Sequence, residues 1–224
     1  MGVSVIIPTL DEENCLAESL HNIRLHKPHE IIVADGGSRD HTRKIADLAD
    51  QFVDAPRGRA FQMNEGARHA TGDVLLFLHA DCSLEDCALI EAEAQLGRKG
   101  VVAGCFTMTV NRPGILYRWI DHVADVRVRC AKLIYGDQGL FVCRDVFTQL
   151  GGFPRLSLME DVFFSRMLAC HGRFAVATRR IFVSSRRWQR TGIVRQTIRN
   201  WVLLGLAGSG VHPDRLARWY PVVR

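Results

Sequence analysis

Val3-Ser4-Val5-Ile6-Ile7-Pro8, followed at once by Thr9-Leu10-Asp11-Glu12-Glu13, is the stretch on which the fold turns. A nearly continuous apolar run of this length, without alternation, describes a strand covered on both faces, as in a parallel sheet flanked by helices. The polar cluster that ends it then stands at the strand's carboxyl end, where open parallel sheets bind their ligands. The pattern repeats. Ile31-Ile32-Val33-Ala34 leads into Asp35-Gly36-Gly37-Ser38-Arg39-Asp40, and Val74-Leu75-Leu76-Phe77-Leu78 leads into His79-Ala80-Asp81. A further acidic pair, Glu160-Asp161, stands at the mouth of a helical pattern. Successive strands that each deliver an acid or a small polar turn to one edge of a sheet describe one site. Its chemistry suits a bound metal or a sugar nucleotide.

Helical patterns separate these runs, which gives an α/β fold with a mostly parallel central sheet. Leu16, Leu20 and Ile23 recur at helical spacing before Lys27-Pro28, and Asp40 is placed to cap a helix holding Ile45 and Leu48. Residues 58–70 and 84–96 read as helices, and Phe52-Val53 as a short strand. Beyond Gly100 the spacing predicts a strand over 101–110, a helix over 115–134, and a strand over 139–143. A helix over 160–170 and a strand over 174–183 follow. In the tail, Val194, Ile198 and Val202 form one stripe of a helix of about 15 residues with Arg195 and Arg199 opposite, the pattern of a helix packed on a core.

Bulk properties narrow the class. The 224 residues suit one large domain with a C-terminal appendage, and no run approaches the roughly 20 apolar residues of a membrane span. The N-terminus lacks the form of a signal peptide. Seven scattered cysteines with no C-x-x-C spacing indicate reduced thiols rather than a zinc site or a disulfide framework, which points to the cytoplasm. Charge is divided unevenly. Residues 1–154 hold 16 Lys+Arg and 21 Asp+Glu, a net of −5, whereas residues 155–224 hold 13 arginines and three acids, a net of +10. An arginine-only basic tail suits the phosphates of a nucleotide, of a lipid carrier, or of an anionic membrane surface, and otherwise is a solvated face. No nucleic-acid-binding motif accompanies it.

The ordered set Pro8-Thr9…Glu12-Glu13, Val33-Ala34-Asp35-Gly36, His79-Ala80-Asp81 and Glu160-Asp161 resembles the family 2 glycosyltransferases of GT-A fold. The resemblance runs from Val3 to about Trp188. With Gly136-Asp137-Gln138-Gly139-Leu140-Phe141, Gly151-Gly152-Phe153-Pro154 and Ser185-Arg186-Arg187-Trp188 it is similar to a small bacterial subgroup, one labelled by association with arsenosugar or selenium-related gene clusters. It implies a GT-A domain over residues 1–188, with a nucleotide-sugar half (1–100) and an acceptor half (101–188). A basic helical tail, 189–224, would pack on that domain. The implied activity is inverting transfer of a sugar from a nucleotide-linked donor, UDP-linked by the resemblance of Asp35. The expected acceptor is a small molecule or a lipid-linked one; the scattered thiols lead us to expect a cytoplasmic protein, and the basic tail allows peripheral contact at the inner face of an anionic membrane.

Such a transfer must neutralise a diphosphate, position the sugar carbon and deprotonate the acceptor. A hard cation, Mg²⁺ or Mn²⁺, held by a carboxylate serves the first need. Asp81 is the candidate ligand, since a carboxylate at the end of a buried strand is costly unless it is partnered. The first acid of the family's D-x-D motif is replaced by His79, which ligates the metal, bonds a ribose or phosphate, or is a satisfied strand-end histidine. Asp35, before Gly36-Gly37, is implied as acceptor of a bond from the uracil ring; a turn aspartate bonding its own loop is the alternative. Pro8, Thr9, Glu12 and Gly36 line the same pocket. Arg59, at a helix start, suits a diphosphate, with Asn64 stabilising its loop. Asp161 is implied as the general base. Glu160 beside it points about 100° away on a helix, so one of the two faces the acceptor. Asp137, Gln138, Arg187 and Trp188 are candidates for the acceptor wall.

Two rival readings fit parts of the pattern. A nucleotidyltransferase shares a related core and releases pyrophosphate, but its glycine-rich loop follows the first strand, where this chain has PTLDEE. A non-catalytic sugar-nucleotide-binding protein fits the broken D-x-D. A dehydrogenase does not, because no G-x-G-x-x-G follows the first strand.

Overall fold

Alternate residues of the first strand bury themselves in opposite directions. In the computed structural model, which describes residues 1–220, Val3, Val5 and Ile7 of β1 (Val3–Thr9) join one apolar cluster with Leu16, Leu20 and Ile23. Ile6 joins a second cluster with Ala60 and Met63. The first set packs against α1 (Leu16–Leu25) and the second against α3 (Arg59–His69), so the strand has a helix on each face. The same holds for β2 (Glu30–Asp35), whose six residues are all buried. Removing most of the Ile6 side chain from such a site costs roughly 2–5 kcal/mol.

Beside these strands stand β3 (Gln51–Asp54), β4 (Val74–Phe77), β5 (Cys82–Leu84), β6 (Val101–Val110), β7 (Leu140–Cys143) and β8 (Arg173–Val183). The eight-stranded sheet has the order β3-β2-β1-β4-β7-β6-β8-β5. β1 pairs in parallel with β2 and β4, β2 with β3, and β6 with β8; β7 and β5 run against their neighbours. Six of eight strands therefore share one direction, and β7 reverses between β4 and β6. In the β1–β2 register Thr9 lies beside Asp35, which sets their carboxyl ends together.

The remaining helices are α2 (Thr42–Ile45), α4 (Ala88–Leu96), α5 (Ile115–Ala131), α6 (Arg144–Gln149), α7 (Glu160–Ala169), α8 (Arg186–Thr191), α9 (Ile193–Gly208) and α10 (Pro213–Ala217). Asp40 stands one residue before the N-cap His41, and its Oδ1 accepts from Thr42 N at 2.9 Å; the helix expected to hold Ile45 and Leu48 is short, ending at Ile45, with Ala46–Leu48 in a 3-10 turn. Three further expectations are corrected. The helix expected from residue 84 begins at Ala88, because Cys82–Leu84 pairs with Ile181–Val183 instead. The helix expected to reach 134 ends at Ala131, where Lys132 turns left-handed. The α9 stripe does not face a core: Val194, Ile198 and Val202 are exposed, and the buried residues of α9 are Gln196 and Leu203. The tail is joined to the rest through a small cluster of Leu158, Leu203 and Leu216, and through Asp214, which accepts from Ser157 N. The last four residues of the segment expected as the basic tail lie outside the described residues. No helix among the described residues is long and apolar enough to cross a membrane.

Candidate active site

The strand ends build two adjoining regions. At the ends of β1 and β2, Asp35 is 4% exposed and both its oxygens are engaged. Thr9 Oγ1 and Ser38 Oγ donate to Oδ1, while Gly37 N and Ser38 N donate to Oδ2. Four donors fill the four lone-pair directions of a carboxylate. Asp35 thus holds its own loop, and the acceptor position that the resemblance asks of it is already occupied. Gly36 N bonds Thr9 O, and the buried Gln62 amide donates to Thr9 O and Ala34 O, locking the two strand ends. A Cβ on Gly36 would approach that amide to 3.0 Å. Gln62 lies one turn into α3 and carried no sequence signal beyond being polar on a buried face.

Beyond the end of β4 lies a cleft of about 160 Å³ lined by Arg59, His79, Asp81, Tyr135, Asp137 and Asp161 on one side. Arg187 and Trp188 of α8, with Gln196, Asn200, Leu203 and Tyr220 of the tail, close it on the other side. Gln196, Asn200 and Tyr220 are not among the sequence candidates; for Gln196 and Asn200 the signal was polar residues on the side of α9 away from its apolar stripe, and Tyr220, beyond α10, had none.

The acidic pair at the start of α7 separates in space. Glu160 is 2% exposed and pairs with Arg59 Nε at 2.9 Å. Burial pushes its carboxyl above the ordinary range, and Arg59 opposes that push. Asp161 instead lines the cleft, its Oδ2 accepting from Gly136 N at 2.6 Å and its Oδ1 from Val162 N at 2.7 Å. Met159, left-handed with φ of 64°, turns the chain into the helix so that this divergence occurs at its first residues. Gly136 is required where it stands, because a Cβ there would meet His79 Nε2 at 2.7 Å and Asp161 Oδ2 at 3.4 Å.

His79 shares the cleft with Asp161. Burial and the nearby Arg59 lower its pKa to about 4, so the imidazole is neutral at neutral pH and able to act as ligand, donor or acceptor. Asp137 Oδ1 is buried with no hydrogen-bond partner, and burial raises the pKa of this carboxyl. That oxygen has almost no exposed surface, so a ligand hydroxyl reaches it only if the Gly136–Gln138 turn shifts. Gln138 is a correction: it is fully buried behind the loop, its Oε1 accepting from Arg127, and it does not reach the cleft. Asn64, expected to stabilise the loop of Arg59, instead bonds Phe153 O and Phe153 N, each at 2.9 Å, and so pins the 153 loop.

Asp81 is not free either. Arg186 Nη2 lies 3.0 Å from Asp81 Oδ2 and 3.2 Å from Glu12 Oε2, so the start of α8 places a cation on the acids expected for a metal and a nucleotide. Among the described residues no three His, Cys, Asp or Glu side chains gather to hold a metal. The donor set therefore does not fit a resident metal. It does fit a hard cation that arrives with a diphosphate, held by one carboxylate and by phosphate oxygens.

The glycosyl transferase family 2 model matches residues 4–138, more than half of the chain. The chain belongs to glycosyltransferase family 2. It is 27% identical over 169 residues to glycosyltransferase AglE of Haloferax volcanii, covering 68% of this chain and 56% of AglE. Among solved structures it is similar in fold to the mannosyltransferase PcManGT of Pyrobaculum calidifontis, in complex with GDP-Man and Mn²⁺. That likeness has a TM-score of 0.67 and 22% identity, over 96% of this chain and 68% of the other. It is likewise similar to residues 1–349 of S. aureus TarS in complex with UDP-GlcNAc, with a TM-score of 0.65 and 18% identity, over 82% and 58%. The chain thus spans a little over half the length of AglE and of that TarS chain. The fold is that of the family: a mixed, mostly parallel sheet flanked by helices, with helices at the C-terminus.

Proposed function

We propose that this family member is an inverting glycosyltransferase that takes a nucleotide-sugar donor, UDP-linked, and that Asp161 activates the acceptor. The observation that carries the reading is the divergence of Glu160 and Asp161. Arg59 draws one acid into the protein, and Gly136 aims the other into a cleft beside His79 and Asp81.

In the proposed reaction the acceptor hydroxyl gives its proton to Asp161 as its oxygen attacks the anomeric carbon. The bond from that carbon to the diphosphate breaks on the opposite face, and the nucleoside diphosphate leaves with the bonding pair. Pro8, Thr9 and Gly36 form the base and ribose pocket; a base reaches the Asp35 carboxylate by exchanging with Ser38 Oγ. Arg59 and Arg187 face the departing phosphates as guanidinium donors. A divalent cation, Mn²⁺ or Mg²⁺, would be held by Asp81, with His79 adjoining, and would neutralise the diphosphate. For Asp81 to do so, Arg186 has to leave the carboxylate. Asp137, with its unpartnered oxygen, and Trp188 form the acceptor wall, and the tail side of the cleft suits an acceptor carried on a lipid. The narrower subgroup resemblance names no acceptor chemistry and adds nothing to this assignment.

Incubation with UDP- and GDP-sugars and Mn²⁺, with products resolved by chromatography, tests the reading. Nucleoside diphosphate released with a free or transferred sugar is the expected product. Pyrophosphate would instead establish the nucleotidyltransferase alternative, and tight binding without turnover for any donor would establish a binding protein.

A further inference from the structure

Helix α9 is inside out. Its buried residues are Gln196 and Leu203, whereas Val194, Ile198, Trp201 and Val202 lie on the opposite side of the wheel and are between 52% and 62% exposed. A helix of a water-soluble domain turns its apolar stripe inward. The exposed face is also not confined to one helix. The Trp119 ring of α5 lies 6.2 Å from that of Trp201, which joins the exposed Ile115 and Leu116 one turn away to the same surface. Trp219 borders a shallow groove with Val194, Ile198 and Val202. Of thirteen large apolar residues exposed among the described residues, eight belong to these three segments, so the distribution is a patch and not scatter.

Charge identifies what covers it. Residues 186–220 hold seven arginines and one acid, Asp214. Arg190, Arg195, Arg215 and Arg218 are exposed, and Arg195 and Arg199 line the groove with Val194, Ile198, Val202 and Trp219. A two-fold contact between copies of the chain sets a surface against itself, and here would oppose arginines to arginines. An anionic headgroup layer complements them, and tryptophans with one apolar and one polar edge favour that layer.

We propose that the outer face of α9, with the start of α5 and Trp219, is a docking surface for an anionic lipid bilayer, on which the protein lies peripherally. The surface stands on its own geometry and does not depend on glycosyl transfer. One consequence does rest on the proposed transfer. The inner side of α9 supplies Gln196, Asn200 and Leu203 to the cleft, so the membrane lies one helix diameter, about 10 Å, from the acceptor wall. An acceptor anchored in that bilayer reaches the cleft without leaving it.

Flotation of the full chain with phosphatidylcholine vesicles, with and without phosphatidylglycerol, tests the surface without any donor. Binding to the anionic vesicles is expected, weaker by roughly tenfold on neutral ones and at high salt. The doubly substituted variant Ile198→Glu, Val202→Glu should lose roughly tenfold or more in partitioning. Its melting curve should match that of the wild type, because both side chains are exposed. Brominated lipid should quench the native fluorescence, since three of the four tryptophans (Trp119, Trp201 and Trp219) lie on the patch. Absence of flotation, or equal flotation of the variant, would overturn the proposal. So would a wild-type dimer by analytical ultracentrifugation that the variant dissolves, which would make the face an interface between copies. Failure of donor turnover alone bears on the proposed transfer and leaves the surface standing.

Discussion

Ile6 and Ile7 are neighbours on β1 and both are fully buried; Trp201 and Leu203 are two residues apart on α9, and one is 56% exposed while the other is 2% exposed. The difference lies in what surrounds each element. β1 has a helix on either face, so every side chain meets protein and the strand is apolar except at Ser4 and Thr9, whose buried hydroxyls bond Glu30 and Asp35. α9 has the cleft on one side and its outer surface on the other, so its sequence need only be two-sided. A continuous run therefore reports burial directly, whereas a stripe reports only that two media differ. It does not say which of them is the protein.

Single substitutions sharpen this contrast. Ile6→Ala should lose about 2–5 kcal/mol of unfolding free energy in urea titrations. Leu203→Ala, one of three residues in a small separate cluster that can collapse on the gap, should lose less than Ile6→Ala does, about 2 kcal/mol. Equal losses at the two positions would remove the distinction between a two-faced core and a tail joined by a few contacts.

Glu30 tests the sheet side at its other end. It is 7% exposed and accepts from Ser4 Oγ, Gln51 Nε2, and the backbone and hydroxyl of Thr71. Burial by itself would raise its pKa, but the bonds from Ser4 and Thr71 outweigh that and hold it below the ordinary 4.5. A carboxyl lowered on folding contributes stability that is complete above 4.5 and disappears as pH falls through the lowered value. Glu30→Gln should therefore cost about 1–3 kcal/mol at neutral pH, and the gap to the wild type should close in acid. A gap that persists at low pH would show that packing and not charge is at stake.

Arg186 connects the two regions. Removing it as Arg186→Ala frees Asp81 and Glu12, and Mn²⁺ affinity measured by calorimetry in the presence of UDP should rise a few-fold, the scale of one partly exposed ion pair. Unchanged affinity would mean that Asp81 is not where the cation binds. The smallest effect belongs to Trp201→Ala, within about 0.5 kcal/mol of wild-type stability in the absence of lipid. A loss like that at Leu203 would mean that the outer face packs on protein after all.

The parts legible in the sequence were those that local chemistry decides. Apolar runs ending in Thr9, Asp35 and His79 marked the sheet and the edge at which the site forms, and Glu160-Asp161 marked a helix start. The unread parts depend on partners distant in the chain. Nothing near Gln138 shows that Arg127 draws it inward, nor near Asn64 that Phe153, 89 residues away, takes both ends of its amide. Cys82–Leu84 became a strand because β8 offered an edge. Three of the four bonds to Asp35 come from its own loop, a local event that the adjacent Gly37 and Ser38 made legible as the alternative reading; the fourth comes from Thr9 on β1. Which acid of the pair at 160 and 161 meets the cleft was undecidable from spacing, because the two point in different directions and only Arg59 and Gly136 select between them.

That selection is the most direct point of test. Sugar transfer and donor affinity should be measured for Asp161→Asn and Glu160→Gln with the donor found to support turnover. Loss of about 10²–10⁴ in turnover for Asp161→Asn with donor affinity retained is the predicted result. Glu160→Gln should act through the position of Arg59, weakening donor binding more than the chemical step. Near-normal turnover by Asp161→Asn, with the large loss falling on Glu160→Gln, would contradict the account.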